Sequence, residues 1–306
     1  MPELPEVETI AKGLDRNLRG RKIVGLWTDW PKYFKLPRTE NGFRRLVIGK
    51  KVTGVDRRAK NVLIHLSDNH LLLVHQKMSG HLLVGQWQKA SRSRNKSLAD
   101  AWAGQEWLPV SGGGPMIDPK NRFIRLILFL DDGRMLALSD LRRFAKILCG
   151  PREKIFDLPD LKNLGPEPLL PNFGFAEFGK IFERKKGRIK QVLMDPRFIA
   201  GIGNIYSDEI LWAAKIHPLT RVESLGVKQL KKLYQAMRSI LRKALRLRGT
   251  SIDDYRDASG RRGGYDKVRY VYQREDEPCP RCRAPIQRIK VGGRSAHFCP
   301  RCQKMK

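Results

Sequence analysis

The chain has 306 residues, enough for two or three domains and an ample core. Its 61 Lys/Arg against 31 Asp/Glu give a formal charge of +30, far beyond what solubility requires, so a polyanionic partner is implied, nucleic acid before anionic membrane. The longest apolar run, 124–130, is broken by Arg125 and excludes a bilayer span, and no apolar stretch follows the N-terminus as in a secretory leader, so the expectation is a soluble, intracellular protein.

The first element carries the first candidate chemistry. Enzymes that trim the initiator Met accept a small second residue, and trimming here would leave Pro2 as a terminal secondary amine. An α-amine titrates at about 7.7–8, so roughly a tenth of it is neutral and nucleophilic at pH 7. A secondary amine that condenses with an aldehyde stays a cationic iminium, a strong electron sink. Glu3 and Glu6 lie within one turn of it, suited to proton transfer. The same residues also fit a plain helix start, with Pro2 and Pro5 at the first turn and the carboxylates complementing the helix dipole. A helix is predicted over 5–18, with Val7, Ile10, Ala11, Leu14 and Leu18 on one stripe and Gly20 closing it.

Short apolar runs follow at 22–30, 46–56, 61–66, 70–75, 81–85, 123–130, 134–139 and 144–148, with hairpin turns at 67–69 and 131–133. Eight strands in this spacing predict a β-sandwich. Residues 86–120 interrupt it with polar and Gly-rich sequence and read as a mobile insertion. Between strands, Asp140-Leu141-Arg142-Arg143-Phe144 sets cations beside an aromatic, and Met78 sits in the turn Met78-Ser79-Gly80. Phe144 and Met78 are either core residues or wedges for the gap left by an extruded base.

After Gly150 the pattern changes. Pro-rich sequence to Pro171 reads as a linker, and helices are predicted at 175–184, 188–194, 204–214 and 227–248. Gly201-Ile202-Gly203-Asn204 precedes one of them, either an anion-binding helix start or an ordinary turn. Residues 249–273 read as a loop rich in Gly, Arg and Tyr. From 221 to 306 there are 23 Lys/Arg against 8 Asp/Glu, a net +15, so half the excess charge lies in under a third of the chain. Cys279-Pro280-Arg281-Cys282 and Cys299-Pro300-Arg301-Cys302 form two Cys-x2-Cys knuckles sixteen residues apart, the spacing of one closed, structural tetrahedral Zn²⁺. Cys149 is left over as a buried thiol in a strand.

Taken together these residues resemble the bacterial formamidopyrimidine-DNA glycosylase family. The resemblance rests on Pro2-Glu3-Leu4-Pro5-Glu6-Val7-Glu8-Thr9, Arg57-Arg58-Ala59-Lys60, Asp140 to Phe144, Leu164-Gly165-Pro166-Glu167-Pro168-Leu169, the stretch from Leu193 to Pro218, and the zinc finger, in that order. It implies an α+β protein with three parts: an N-terminal β-sandwich with an N-terminal helix (1–150, insertion 86–120), a helix–two-turn–helix domain with a lesion-facing loop (151–274), and a zinc finger (275–306). It implies a bifunctional glycosylase and abasic-site lyase for oxidised purines, 8-oxoguanine and formamidopyrimidines, in double-stranded DNA.

The resemblance also assigns roles. Pro2 would attack C1′, Glu3 would carry protons at the sugar, and Glu6 would hold the N-terminal turn. Met78, Arg142 and Phe144 would fill the void, with Arg143 beside them at the DNA. Lys60, His75, Asn204, Tyr272 and Arg294 would grip phosphates, and Cys279, Cys282, Cys299 and Cys302 would hold one Zn²⁺. The implied protein is a cytoplasmic, nucleoid-associated monomer without a membrane partner. Three features depart from the family pattern: Pro119-Lys120-Asn121-Arg122 replaces a His-rich turn, Gln273 replaces a usual Gly, and Gln76-Lys77 replaces Leu-Gly or Leu-Arg. Two other readings remain: an endonuclease VIII-type enzyme for oxidised pyrimidines, against which Leu4 stands because that branch carries Gly there, and a non-catalytic zinc-ribbon protein that binds nucleic acid by charge.

Overall fold

The computed structural model describes residues 1–92, 100, 102–110, 113–183 and 185–305. Its first helix, α1 (Leu4–Leu18), buries Val7, Ile10, Ala11, Leu14 and Leu18, the stripe its spacing predicts. Two sheets follow. Strands β1 (Ile23–Thr28), β9 (Ile124–Leu130), β10 (Met135–Ser139) and β6 (His81–Gly85) form an antiparallel sheet in that order. The second sheet has the order β2 (Phe34–Leu36), β11 (Lys146–Pro151), β5 (His70–His75), β4 (Asn61–Leu66) and β3 (Val52–Arg58), antiparallel except for the short β2–β11 pair. Alternate residues of both sheets, such as Leu126, Leu128, Leu138, Val62, Ile64 and Val74, share one core with α1. That is the expected sandwich. Cys149 lies in this core, where burial pushes its thiol up to about 12.

Three expectations need correction. The strand expected over 46–56 begins only at Val52. Residues Glu40–Val47 instead form a helix, α2, started by Thr39, whose hydroxyl accepts the Gly42 N–H at 3.2 Å. Phe43, Leu46 and Val47 sit at i, i+3 and i+4, so one helical face satisfies all three. The insertion is not featureless. Strands β7 (Trp87–Lys89) and β8 (Trp107–Pro109) pair, and Trp87, Trp102, Trp107 and Leu108 cover Leu83, Ile127 and Ala137 on the outer face of the first sheet. Strand β9 is apolar at both parities, as a strand buried on both faces must be. Residues 93–99, 101 and 111–112 of the insertion lie outside the described residues. The Pro-rich stretch after Gly150 holds two short helices, α3 (Arg152–Phe156) and α4 (Pro159–Lys162).

The remaining helices are α5 (Phe175–Glu183), α6 (Ile189–Met194), α7 (Asn204–Ala214) and α8 (Val227–Arg246). Residue 184, expected to end α5, is outside the described set. The C-terminal hairpin pairs β12 (Gln287–Val291) with β13 (Arg294–Phe298). Chain contacts divide the molecule into two units, residues 1–162 with 247–264, and residues 163–246 with 265–306. Among the described residues no helix is long and apolar enough to cross a membrane.

Candidate functional site

The start of α1 is held by a reciprocal pair. The Glu6 carboxylate accepts the Glu3 N–H at 2.8 Å, and the Glu3 carboxylate accepts the Glu6 N–H, satisfying two of the donors that a helix start leaves bare. The second Glu6 oxygen accepts the Thr250 N–H at 2.8 Å, across 244 residues of sequence. Gly249, at φ +77°, permits the approach, because a Cβ there would lie 2.6 Å from Glu6 Oε1. Pro2, Glu3 and Glu6 are all buried. The backbone next to residue 2 therefore has its position set by a clamp that reaches to residue 250.

The β3–β4 turn carries Lys60. It is anchored to α1 by Arg57, which donates to Glu8 at 2.8 Å and to the Ala59 carbonyl at 2.9 Å. His75 pairs with Asn61 across β4–β5, so the structure brings Lys60 and His75 together. Burial, reinforced by the charges of Lys77 and Lys60, lowers the His75 ring to about 4. The Lys77 N–H donates to Nδ1 at 3.0 Å, so the neutral ring carries its proton on Nε2. His75 is a neutral donor at pH 7, suited to a phosphate oxygen.

Asp140, fully buried, organises the next group. Its carboxylate accepts the Ser79 hydroxyl at 2.6 Å, the Tyr33 hydroxyl at 3.2 Å and the Ala145 N–H at 2.9 Å, and the Ser79 oxygen accepts the Arg142 N–H at 3.0 Å. The turn with Met78 is thereby tied to the loop with Arg142 and Phe144. Phe144 is 53% exposed and Met78 38%, with the Arg142 guanidinium 4.8 Å from the Phe144 ring centre. Both are surface residues, so the core alternative for them is excluded. Arg143, at φ +56°, turns aside to Asp29 at 3.4 Å and stacks over Trp30 at 4.7 Å. The Ser79–Asp140–Tyr33 hub escaped sequence reading, because its members lie far apart in the chain.

In the second unit α7 is the scaffold. Gly203 is its N-cap and Asn204 its first residue, with Gly201 at φ +86° ahead of it. Glu209, fully buried, accepts the Tyr265 hydroxyl at 2.9 Å and three successive N–H groups, Tyr270 at 2.8 Å, Val271 at 2.9 Å and Tyr272 at 3.0 Å. Burial still pushes its carboxyl above the usual range. This clip fixes the backbone of Tyr272, whose ring meets His297 edge-on. Gln273 adopts φ +49°, a left-handed conformation that favours Gly. Asp208 accepts the His297 N–H at 2.9 Å and pairs with Lys190, buried beneath it. Arg294 is exposed at the start of β13, after the Gly292-Gly293 turn, and a Cβ on Gly292 would lie 2.3 Å from Gln191 of α6. Glu209 thus fixes the backbone at Tyr272, and Asp208, paired with Lys190, holds β13 at His297.

The four zinc-finger cysteines converge, with ligand sulfurs all within 4.8 Å of one another. A tetrahedron with bonds of about 2.3 Å places sulfurs roughly 3.8 Å apart, so the set fits one Zn²⁺. Cys279 Sγ accepts from Trp212 Nε1 and from the Arg281 N–H, each at 3.4 Å, and Cys299 Sγ accepts from the Cys302 N–H at 3.4 Å. These donors suit thiolate ligands. Four thiolates leave no open position, so the metal is structural.

Comparison with known proteins covers nearly the whole chain. Residues 1–147 match the family model described as formamidopyrimidine-DNA glycosylase N-terminal domain, 164–256 the corresponding H2TH domain, and 276–304 a zinc finger found in FPG and IleRS. A formamidopyrimidine-DNA glycosylase of Chloroflexus aggregans is 40% identical, over 99% of this chain and 98% of the relative. That of Pelotomaculum thermopropionicum is 38% identical over the full length of both. The crystal structure of MutM (Fpg) from Thermus thermophilus superposes with a TM-score of 0.79 at 32% identity, covering 99% of this chain and 98% of that one. The Lactococcus lactis Fpg, solved with DNA containing an abasic site, gives 0.81 at 29% identity, covering 99% and 100%.

Proposed function

We propose that this chain, which belongs to the formamidopyrimidine-DNA glycosylase family, excises oxidised purines from double-stranded DNA and then cleaves the strand at the abasic site. In this reading Pro2, terminal once Met1 is removed, attacks C1′ of the damaged nucleotide. The C1′–N bond breaks, the base leaves with a proton, and an iminium joins Pro2 to the opened sugar. Glu3 moves protons at the sugar while the iminium accepts electrons, so β-elimination and then δ-elimination release the phosphates on either side. The observation that carries the reading is the Glu6 clamp, which holds residue 2 beside a buried carboxylate.

The remaining residues serve access. A base inside a duplex must be flipped out at a cost of a few kcal/mol. Met78, Arg142 and Phe144 would fill the gap left behind, with Arg143 alongside on the strand. Lys60, His75, Asn204, Tyr272 and Arg294 would hold phosphates, contacts that fix position without reading sequence. The zinc centre keeps the C-terminal hairpin, and with it Arg294, in register. The residue ranges of the three family matches support the division 1–150, 151–274 and 275–306. We take the protein to act as a monomer near the nucleoid.

Strand cleavage of duplexes carrying 8-oxoguanine, a formamidopyrimidine, an oxidised pyrimidine or an abasic site tests the assignment. The oxidised pyrimidine belongs in the set because the Lactococcus lactis enzyme was also crystallised with such DNA. Cleavage at the purine lesions and the abasic site is expected. Cleavage at the pyrimidine lesion alone would move the protein to the endonuclease VIII-type activity, and binding without any cleavage would leave a DNA-binding protein.

A further inference from the structure

We propose that residues 115–121 form a strut that holds the loop 251–264 in a fixed shape, and that Asp118 and Asn121 thereby set which damaged bases are excised. The inference rests on the functional reading above and takes 251–264 to be the lesion-facing loop that the family resemblance implies. Tyr255 and Ala258 of the loop pack into the sandwich core, but the rest is rich in Gly, Asp and Arg, and such sequence has little apolar area to bury and opens at low free energy. Here it is held from outside. Arg256, 4% exposed, donates from Nε and Nη2 to both Asp118 oxygens at 2.8 and 2.9 Å, a two-point fork. Asp118 is itself oriented by the Lys120 N–H at 2.9 Å, and Lys120 reaches Asp254 of the loop at 2.8 Å.

Asn121, fully buried, makes the second attachment. Its Nδ2 donates to the Pro115 carbonyl at 2.9 Å and to the Gly260 carbonyl at 3.4 Å, while its Oδ1 accepts from His81 Nε2 at 3.0 Å. His81 belongs to β6, so the strut is fixed to the sandwich at one end and to the loop at the other. Gly260 sits at φ +78°, and a Cβ there would lie 2.7 Å from Asn121 Nδ2 and 2.8 Å from the Pro115 carbonyl. Val84 of β6 adds a direct bond, its N–H donating to the Ala258 carbonyl at 2.8 Å.

A loop already ordered presents a formed surface to the base, so little ordering remains at binding. An abasic site carries no base, so its cleavage is independent of that surface. The two substrates therefore separate a specificity role from a general structural one.

The test compares single-turnover cleavage at 8-oxoguanine with cleavage at an abasic site in Asp118→Asn, Asp118→Glu and Asn121→Ala, alongside hydrogen exchange of the amides in 251–264. For Asp118→Asn and Asn121→Ala, excision of 8-oxoguanine should fall roughly tenfold, abasic cleavage should stay within about twofold of wild type, and loop exchange should quicken. Asp118→Glu, which keeps the charge, should recover part of the excision. Equal loss on both substrates, or excision and exchange both at wild-type values, would overturn the inference. A wild-type protein inactive on both substrates would overturn the functional reading instead, while hydrogen exchange would still decide whether the strut orders the loop.

Discussion

Replacing Glu6 by Gln isolates the clamp on the N-terminal turn. The carboxylate accepts two backbone N–H groups, Glu3 and Thr250, both at 2.8 Å and both buried. Gln has nearly the same shape but only one acceptor oxygen, so its NH2 must face one of those donors. Leaving a buried donor unpaired costs about 1–3 kcal/mol, and the surviving bond weakens from charge-assisted to neutral, a further loss of about 1 kcal/mol. The sum is roughly 2–4 kcal/mol. For a unit of this size, residues 1–162 with 247–264, each kcal/mol lowers Tm by about 2–4 °C, giving a fall of roughly 5–15 °C in calorimetry. Glu40→Gln, which weakens the half-buried surface pair with Arg44, is the control and should shift Tm by less than about 2 °C. At 25 °C, with the variant still folded, single-turnover excision should drop by roughly tenfold to a hundredfold, because residue 2 is no longer held. A Glu6→Gln protein with the Tm and excision rate of wild type would refute the clamp.

Three further outcomes are expected. Burial lowers the His81 ring from an ordinary 6.5 to about 4, so the folded state favours the neutral ring, and its contribution is complete above pH 6.5 and lost as pH falls toward 4. Between pH 7 and 5 this amounts to about 2 kcal/mol, and the unfolding free energy of His81→Gln from urea titrations should fall by about that much less over the range, whereas an equal loss would count against it. Cys282→Ser should release Zn²⁺ and weaken DNA binding while the sandwich keeps its own melting transition; loss of all structure by circular dichroism would contradict independent folding of the first unit. Phe144→Ala removes a ring already 53% exposed, so stability should change by less than about 1 kcal/mol while excision falls roughly tenfold. A stability loss as large as a core deletion would show that the ring belongs to the fold and not to the DNA face.

How much was legible depended on the range over which each signal acts. Strands β4, β5 and β6 and their turns follow from short apolar runs and Asp/Asn/Gly punctuation, which are local. The zinc site follows from Cys spacing, also local. Helix α2 was misread because Leu46 and Val47 suit a strand as well as a helix, and the deciding cap, Thr39, lies outside that apolar run. The covering role of Trp87, Trp102 and Trp107 was hidden in a polar, Gly-rich segment, although the two-sided apolar pattern of β9 called for a cover. Least legible were the buried carboxylates. Glu6 meets Thr250 across 244 residues, Asp140 gathers Ser79 and Tyr33, and Glu209 clips 270–272, pairings that only the folded chain creates. Those long-range carboxylates position most of the motif residues that the sequence did reveal.

The central claim is that residue 2 is the nucleophile. Borohydride trapping on a duplex with one 8-oxoguanine opposite cytosine, using protein without an N-terminal extension, tests it most directly. The expected result is a covalent protein–DNA adduct that peptide mass spectrometry maps to Pro2, with Met1 absent. An adduct mapped to a lysine, or full excision by a protein that retains residues ahead of Pro2, would contradict it.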